Sequence, residues 1–150
     1  MHLHALDDAA WDSPWRRVRV SHKVALSVAL VLTALVGPAW PVSPLVAAAS
    51  IALALGSARI PVRALGYAMA APLTFLVIGG VSVALVLGGV PSAGAWTLGP
   101  LWADAASATR GLSAFAHGVS GTLAVMLLAT TTPMVDLLGW LRRLGVPAPL

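Results

Sequence analysis

The sequence predicts an all-α membrane protein, with about four transmembrane helices and a short amphipathic helix on the cytoplasmic surface. Three observations predict it. Of the 150 residues, 59% are hydrophobic and 9% are charged, against about 25% charged in an ordinary soluble domain; so few charges cannot cover a water-facing surface. The apolar surplus is Leu, Val and Ala, which argues against disorder. The cations gather in three clusters at the ends of uncharged stretches: Arg16, Arg17, Arg19 and Lys23; Arg59 and Arg63; Arg142 and Arg143. Four spans place all three clusters on one side, which the positive-inside rule assigns to the cytoplasm. The net charge of +4 thus flanks apolar segments instead of lining one surface, which points away from nucleic acid. The absence of cysteine excludes disulfides and thiolate metal sites.

Residues 1–23 form a polar cytoplasmic head, with Trp11 and Trp15 as interfacial aromatics ahead of the cations. The transmembrane region is 24–132. Its first two spans, about 24–37 and 45–56, each fall short of the ~20 residues a bilayer needs. Borrowing Ser21–Lys23 and Ser57–Ala58 lengthens them, because flanking cations can snorkel. Between them "GPAWPVSP" carries three prolines. It reads as a tight extracytoplasmic turn that a helix cannot cross. It offers no good small-x-small cleavage site, so the first run is expected to remain a span and not a signal peptide. The third span, about 64–90, has no charge and a candidate kink at Pro72. Gly88–Thr109, rich in Gly, Pro and Trp, reads as an irregular outer segment with Asp104 its single charge. The fourth span is about 111–132, with Arg110 at its outer mouth as the one cation against the rule.

Thr132 is placed to cap a new helix and Pro133 to be its first residue. Met134, Leu137, Leu138, Leu141 and Leu144 share one face; Asp136, Gly139, Arg142 and Arg143 share the other. The arginines suit the last turn, Gly145 a C-cap, and Pro147 ends the helix. This predicts a helix lying on the membrane surface, either an interfacial anchor or a platform for a cytoplasmic partner.

Several residues suggest chemistry. His2 and His4, near Asp7 and Asp8, resemble a loose metal chelate; on a cytoplasmic tail they are expected to be solvated, and no metal site is expected. "HGVSG" holds the Gly-x-Ser-Gly of rhomboid-type intramembrane proteases. Its Ser120 would need a general base, and His117 lies on the same helix, three residues earlier. The favoured reading is close helix packing: Ala114, Gly118 and Thr122 share one small-residue face, Ser113, His117 and Gly121 the next, and Gly79–Gly80 with Ala84 form another. His117 is expected to hydrogen-bond a neighbouring helix, with contact to a partner as the alternative. Arg59 and Arg63 share a face and suit lipid phosphates.

The stretch "RGLSAFAHGVSGTLAVMLLATTTPMVDLLGWLRRLGVP" resembles the transmembrane T component of energy-coupling-factor ABC transporters, especially the cobalt-type CbiQ permeases. There an apolar helix ends in Thr-Thr-Pro and a leucine-rich stretch ends in "LRRLGVP". "WDSPWRRVRVSHK" is similar to the family's N-terminal pattern, and "SARIPVRALGYAMAAPLTFLV" to its second cytoplasmic corner and third span. The resemblance implies a non-catalytic scaffold that binds no cofactor itself. It would link a substrate-binding S component (CbiM-like, with a CbiN-like accessory subunit) to CbiO-like ATPases that use ATP and Mg. The cargo implied is cobalt, with nickel or a vitamin such as biotin as the nearest variants. An intramembrane serine protease, or a helical membrane protein without a transport role, is the alternative of another class. The implied location is a bacterial cell membrane, multi-pass, with the N-terminus in the cytoplasm. Candidate partner-interface or coupling residues are then Thr132, Pro133, Leu141, Arg142, Arg143, Gly145 and Pro147. Gly80, Ala84, His117, Gly118 and Gly121 are candidates for packing inside the membrane. Two departures stand out. The sequence stops at Leu150, so 133–150 is expected to be the start of a coupling region cut short before its Arg-bearing motifs. His117 also stands where many relatives carry a basic residue.

Overall fold

The computed structural model describes Trp15 and residues 18–143. The proposed chelating tail, Trp11, Arg16, Arg17, Leu144, Gly145 and Pro147 lie outside the described residues. Four long helices and one short one follow in order: α1 (Val20–Val36), α2 (Ala39–Ala52, continued by one π turn at Leu53–Ser57), α3 (Val62–Ala84), α4 (Ala105–Thr131) and α5 (Met134–Arg143). Strands β1 (Val86–Leu87), β2 (Trp96–Leu98) and β3 (Leu101–Ala103) separate α3 from α4. Three helices, Ala39–Ser57, Val62–Ala84 and Ala105–Thr131, are long and apolar enough to cross a membrane, and α1 is a shorter apolar helix. The all-α membrane class holds.

The helix boundaries differ from the expected spans, and each difference has a local cause. The second span begins earlier than Leu45 because Trp40 alone leaves helical geometry (φ −125, ψ 125). Pro41 and Pro44 therefore fall in the first turn, where a missing N–H costs least. At its other end the Ala58 N–H reaches back five residues to the Leu53 carbonyl, and this π turn prolongs the helix to Ser57. The third helix stops at Ala84 instead of Val90: Val86–Leu87 pair with Leu101–Trp102, and Gly88 and Gly89 adopt φ of +70 and +80, which a helix cannot contain. It stays helical across Pro72. The segment between α3 and α4 is therefore ordered, an antiparallel sheet in the order β1-β3-β2.

The fourth helix starts at Ala105, not at 111, because Asp104 and Ser107 form a reciprocal capping box. Asp104 Oδ1 accepts from the Ser107 N–H at 2.7 Å, and Ser107 Oγ accepts from the Asp104 N–H at 2.9 Å. The Ser107 N–H, and then the Ser92 hydroxyl, hold the Asp104 carboxyl below the usual carboxylate range. Arg110 accordingly sits on the second turn of α4, exposed.

α4 is the central element, packing against α1, α2 and α3. Its buried face carries Ser107, Gly111, Ser120, Leu123, Ala124, Leu127, Thr130 and Thr131. The buried residues of α1 are Lys23, Ser27 and Ala34, and those of α2 are Ser43, Val46 and Ser50. Large apolar side chains such as Leu32, Leu45, Tyr67, Phe75 and Ile78 point outward. Small and hydroxyl residues inside with large aliphatics outside reverse the soluble pattern and suit a lipid solvent.

Candidate functional site

The site with the most built-in geometry is the elbow between α4 and α5. Pro133 ends α4, since it has no N–H to return to the preceding turn. Thr130 and Thr131 turn their hydroxyls back along the helix, to the Met126 carbonyl at 2.7 Å and the Leu127 carbonyl at 2.6 Å. The Thr132 N–H closes the last bond, on Leu128, at 3.0 Å. Thr132 does not cap α5 as expected. It has extended geometry as the C-cap of α4, and its buried hydroxyl has no partner. The cap position belongs to Pro133, whose carbonyl accepts from the N–H groups of Asp136 (3.1 Å) and Leu137 (3.2 Å).

One cation organises this elbow. Lys23, in the first turn of α1, is 3% exposed. Its ammonium donates to the Thr131 carbonyl at 2.7 Å, across 108 residues of sequence. A cation at a helix C-terminus meets the negative end of the dipole. Asp136, in the first turn of α5, lies close enough to act on Lys23 electrostatically. Lys23 thus joins the start of α1, the end of α4 and the start of α5. The sequence marks it as a membrane-flanking cation; its spacing of four from Ser27, another buried residue of α1, was the available signal for an inward face.

α5 presents Val135, Asp136, Leu138, Gly139, Arg142 and Arg143 outward, with Leu137 and Trp140 half-buried. Between it and the start of α1 runs a groove of about 580 Å³, whose lining includes Arg19, Ser21, Asp136, Trp140 and Arg143. Its charged lining residues are Arg19, Arg143 and Asp136, two positive charges against one negative. Beside it, Trp15 Nε1 donates to Ser57 Oγ at 2.8 Å, fastening the head to the corner between α2 and α3. Arg59 and Arg63 at that corner are exposed.

The small residues at the α3–α4 contact meet as follows. A methyl group on Gly111 would stand 2.5 Å from the Gly80 carbonyl oxygen and 2.6 Å from Ala84 Cβ. One on Gly80 would stand 3.1 Å from Phe115 Cβ, and one on Gly118 would collide with Leu76. Gly80, Ala84 and Gly118 thus lie where helices approach closely. Gly121 does not: nothing lies within 4 Å of its missing Cβ. Gly111 escapes sequence reasoning because it falls at the expected start of the span. Alongside runs an apolar groove of about 300 Å³ that includes Val77, Gly80, Gly111 and Phe115.

His117 links α4 to the turn after α1. Its Nδ1 lies 2.9 Å from the Ser113 carbonyl oxygen and its Nε2 3.3 Å from that of Gly37; a neutral ring donates to one of them. The Ser120 hydroxyl donates to the His117 carbonyl at 3.0 Å, not to the imidazole, and Ser120 is fully buried. That is not the arrangement of a serine activated by a base. Among the described residues, no three His, Asp or Glu gather where a metal ion could sit.

Comparison with known proteins places this architecture. Residues 12–150 match the family described as CbiQ, cobalt transport protein. The chain belongs to the CbiQ family. The cobalt transport protein CbiQ of Rhodobacter capsulatus is 33% identical over 150 residues, covering 100% of this chain and 58% of that relative. The chain therefore spans 58% of the length of the curated relative it matches. The CbiQ match takes in the elbow, the corner at Arg59 and Arg63, and α5.

Proposed function

We propose that the chain is the energy-coupling permease part of a cobalt importer in a bacterial cell membrane, with its N-terminus in the cytoplasm. It would join a CbiM-like S component, with a CbiN-like accessory subunit, to CbiO-like ATPases. ATP and Mg belong to those ATPases; this chain contributes a scaffold and no reacting group. The observation that carries the reading is the CbiQ match across 12–150, which includes the Lys23-pinned elbow. The geometry supports a mechanical role. α5 meets α4 through one residue pair, Thr132–Pro133, and Lys23 ties that joint to α1. A push on α5 therefore reaches two membrane helices together. The electropositive groove and the exposed Arg142 and Arg143 suit acidic groups on a soluble partner. The apolar groove between α3 and α4 suits a neighbouring membrane subunit.

The test is uptake of radioactive cobalt by cells that lack their own copy of the subunit and receive the protein carrying this chain. Uptake above the empty-vector level, with the ATPase co-purifying, is expected. The Arg142→Glu, Arg143→Glu pair should lower both several-fold at unchanged membrane abundance. No uptake and no ATPase would remove the reading. Uptake of nickel or biotin in place of cobalt would keep the scaffold and change the cargo.

A further inference from the structure

We propose that the three-stranded sheet between α3 and α4 is a lipid anchor, seated in the outer headgroup layer with one apolar face against the acyl chains. In an antiparallel sheet, residues directly opposite one another share a face. Leu87 pairs with Leu101, and Leu101 with Leu98, so three leucines form a row across all three strands. Trp96 lies two residues from Leu98 on the same face and pairs with Ala103. That face carries no polar side chain and is open at both edges: Leu87 is 75% exposed, and Leu98 and Trp96 are each 61% exposed. The opposite face carries Val86, Thr97 and Trp102, and the Trp102 indole N–H is engaged by the Gly88 carbonyl at 2.7 Å.

Connectivity fixes what lies beside this face. Leu85 alone separates α3 from β1, and Asp104 alone separates β3 from α4. One residue spans at most about 3.6 Å, so the sheet stays at the outer ends of two membrane helices. The 27 residues of α4 measure about 40 Å, close to the full thickness of a bilayer with its headgroups. The sheet is therefore at headgroup depth. No Asp, Glu, Lys or Arg occurs from Ala64 to Ala103; the first charge is Asp104, next to β3 and bonded to Ser92, which suits the headgroup layer and not the acyl interior. A tryptophan at this depth matches the aromatic belts of membrane proteins.

The chain has no cysteine, so a single one can carry a nitroxide at Leu98→Cys or, on the other face, at Thr97→Cys. The protein is reconstituted in vesicles of phosphatidylethanolamine and phosphatidylglycerol. Collision with oxygen, which partitions into acyl chains, is compared with collision with a water-soluble nickel chelate. At position 98, oxygen access should exceed nickel access several-fold, and at 97 the preference should reverse. Equal nickel access at the two positions would overturn the proposal by placing the sheet in water. Exclusion of both probes at 98 would overturn it in favour of a protein contact. Leu87→Cys, on the other edge strand, reads the same face should the first variant fail to fold.

Discussion

Replacing Gly111 with alanine tests the close backbone approach of α3 and α4. The added methyl would lie 2.5 Å from the Gly80 carbonyl oxygen and 3.0 Å from the Ala84 backbone nitrogen. Both are backbone atoms, so no rotamer change relieves the clash. The methyl falls about 0.9 Å inside ordinary contact distance, so α3 and α4 must part by a similar amount, which forfeits a quarter to a half of each dispersion contact along the seam. Overpacking of this kind costs about 1–3 kcal/mol, offset by up to about 1 kcal/mol from removing a glycine within a helix. With the full offset the net expectation is a loss of up to about 2 kcal/mol. Gly79→Ala is the control: nothing lies within 4 Å of its missing Cβ, so only the helix gain remains. Gly80→Ala, with neighbours at 3.1 and 3.3 Å, should fall between the two. Unfolding by sodium dodecyl sulfate in mixed micelles, followed by circular dichroism, gives the three differences. If Gly79→Ala costs as much as Gly111→Ala, or if Gly111→Ala stabilises, the α3–α4 packing described above is wrong.

Other consequences follow from single contacts. Lys23→Met removes a charge-assisted hydrogen bond and orphans the Thr131 carbonyl. The cost should be about 1–2 kcal/mol, because relief from burying a cation returns part of the loss. Amide exchange should quicken across Thr131–Arg143 and change little at the α3–α4 seam; unchanged exchange at the elbow would contradict the pinning role. Gly37→Ala puts a methyl 2.8 Å from the Thr33 carbonyl oxygen and 2.7 Å from Val42 Cγ1, and should destabilise by about 1–3 kcal/mol in the same micelle assay. The depressed Asp104 pKa gives a signed pH effect. The carboxylate cap stabilises fully above the unfolded value of about 3.9 and is lost as pH falls through the lower folded value. The stability gap between wild type and Asp104→Asn should therefore hold from neutral pH to about 4 and close below it; a gap that closes near pH ~6 would contradict the capping geometry.

The long helices were legible because an uncharged run admits few other structures, and the Thr-Pro break of α4 because proline acts locally. The cation clusters marked the corners for the same reason. The sheet between α3 and α4 was not legible. Its strands have two or three residues, too few to show alternation, and their pairing depends on turns whose glycines read as irregular chain. The Asp104-x-x-Ser107 cap was missed, because the Gly and Pro around it read as irregular chain. The extended α2 was hidden by prolines that read as breakers and prove to be initiators, a distinction set by the geometry of Trp40. The burial of Lys23 depends on a carbonyl 108 residues away, and no local pattern carries that.

For a mechanical role, the elbow, the corner at Arg59 and α5 must all face the compartment that holds the soluble partners. Single cysteines at Arg59, Arg142 and Thr97, probed with a membrane-impermeant thiol reagent in intact cells and in inverted vesicles, test this most directly. Position 97 should react in intact cells, and positions 59 and 142 in inverted vesicles alone. Labelling of 59 or 142 from outside intact cells would contradict this placement and the scaffold role with it.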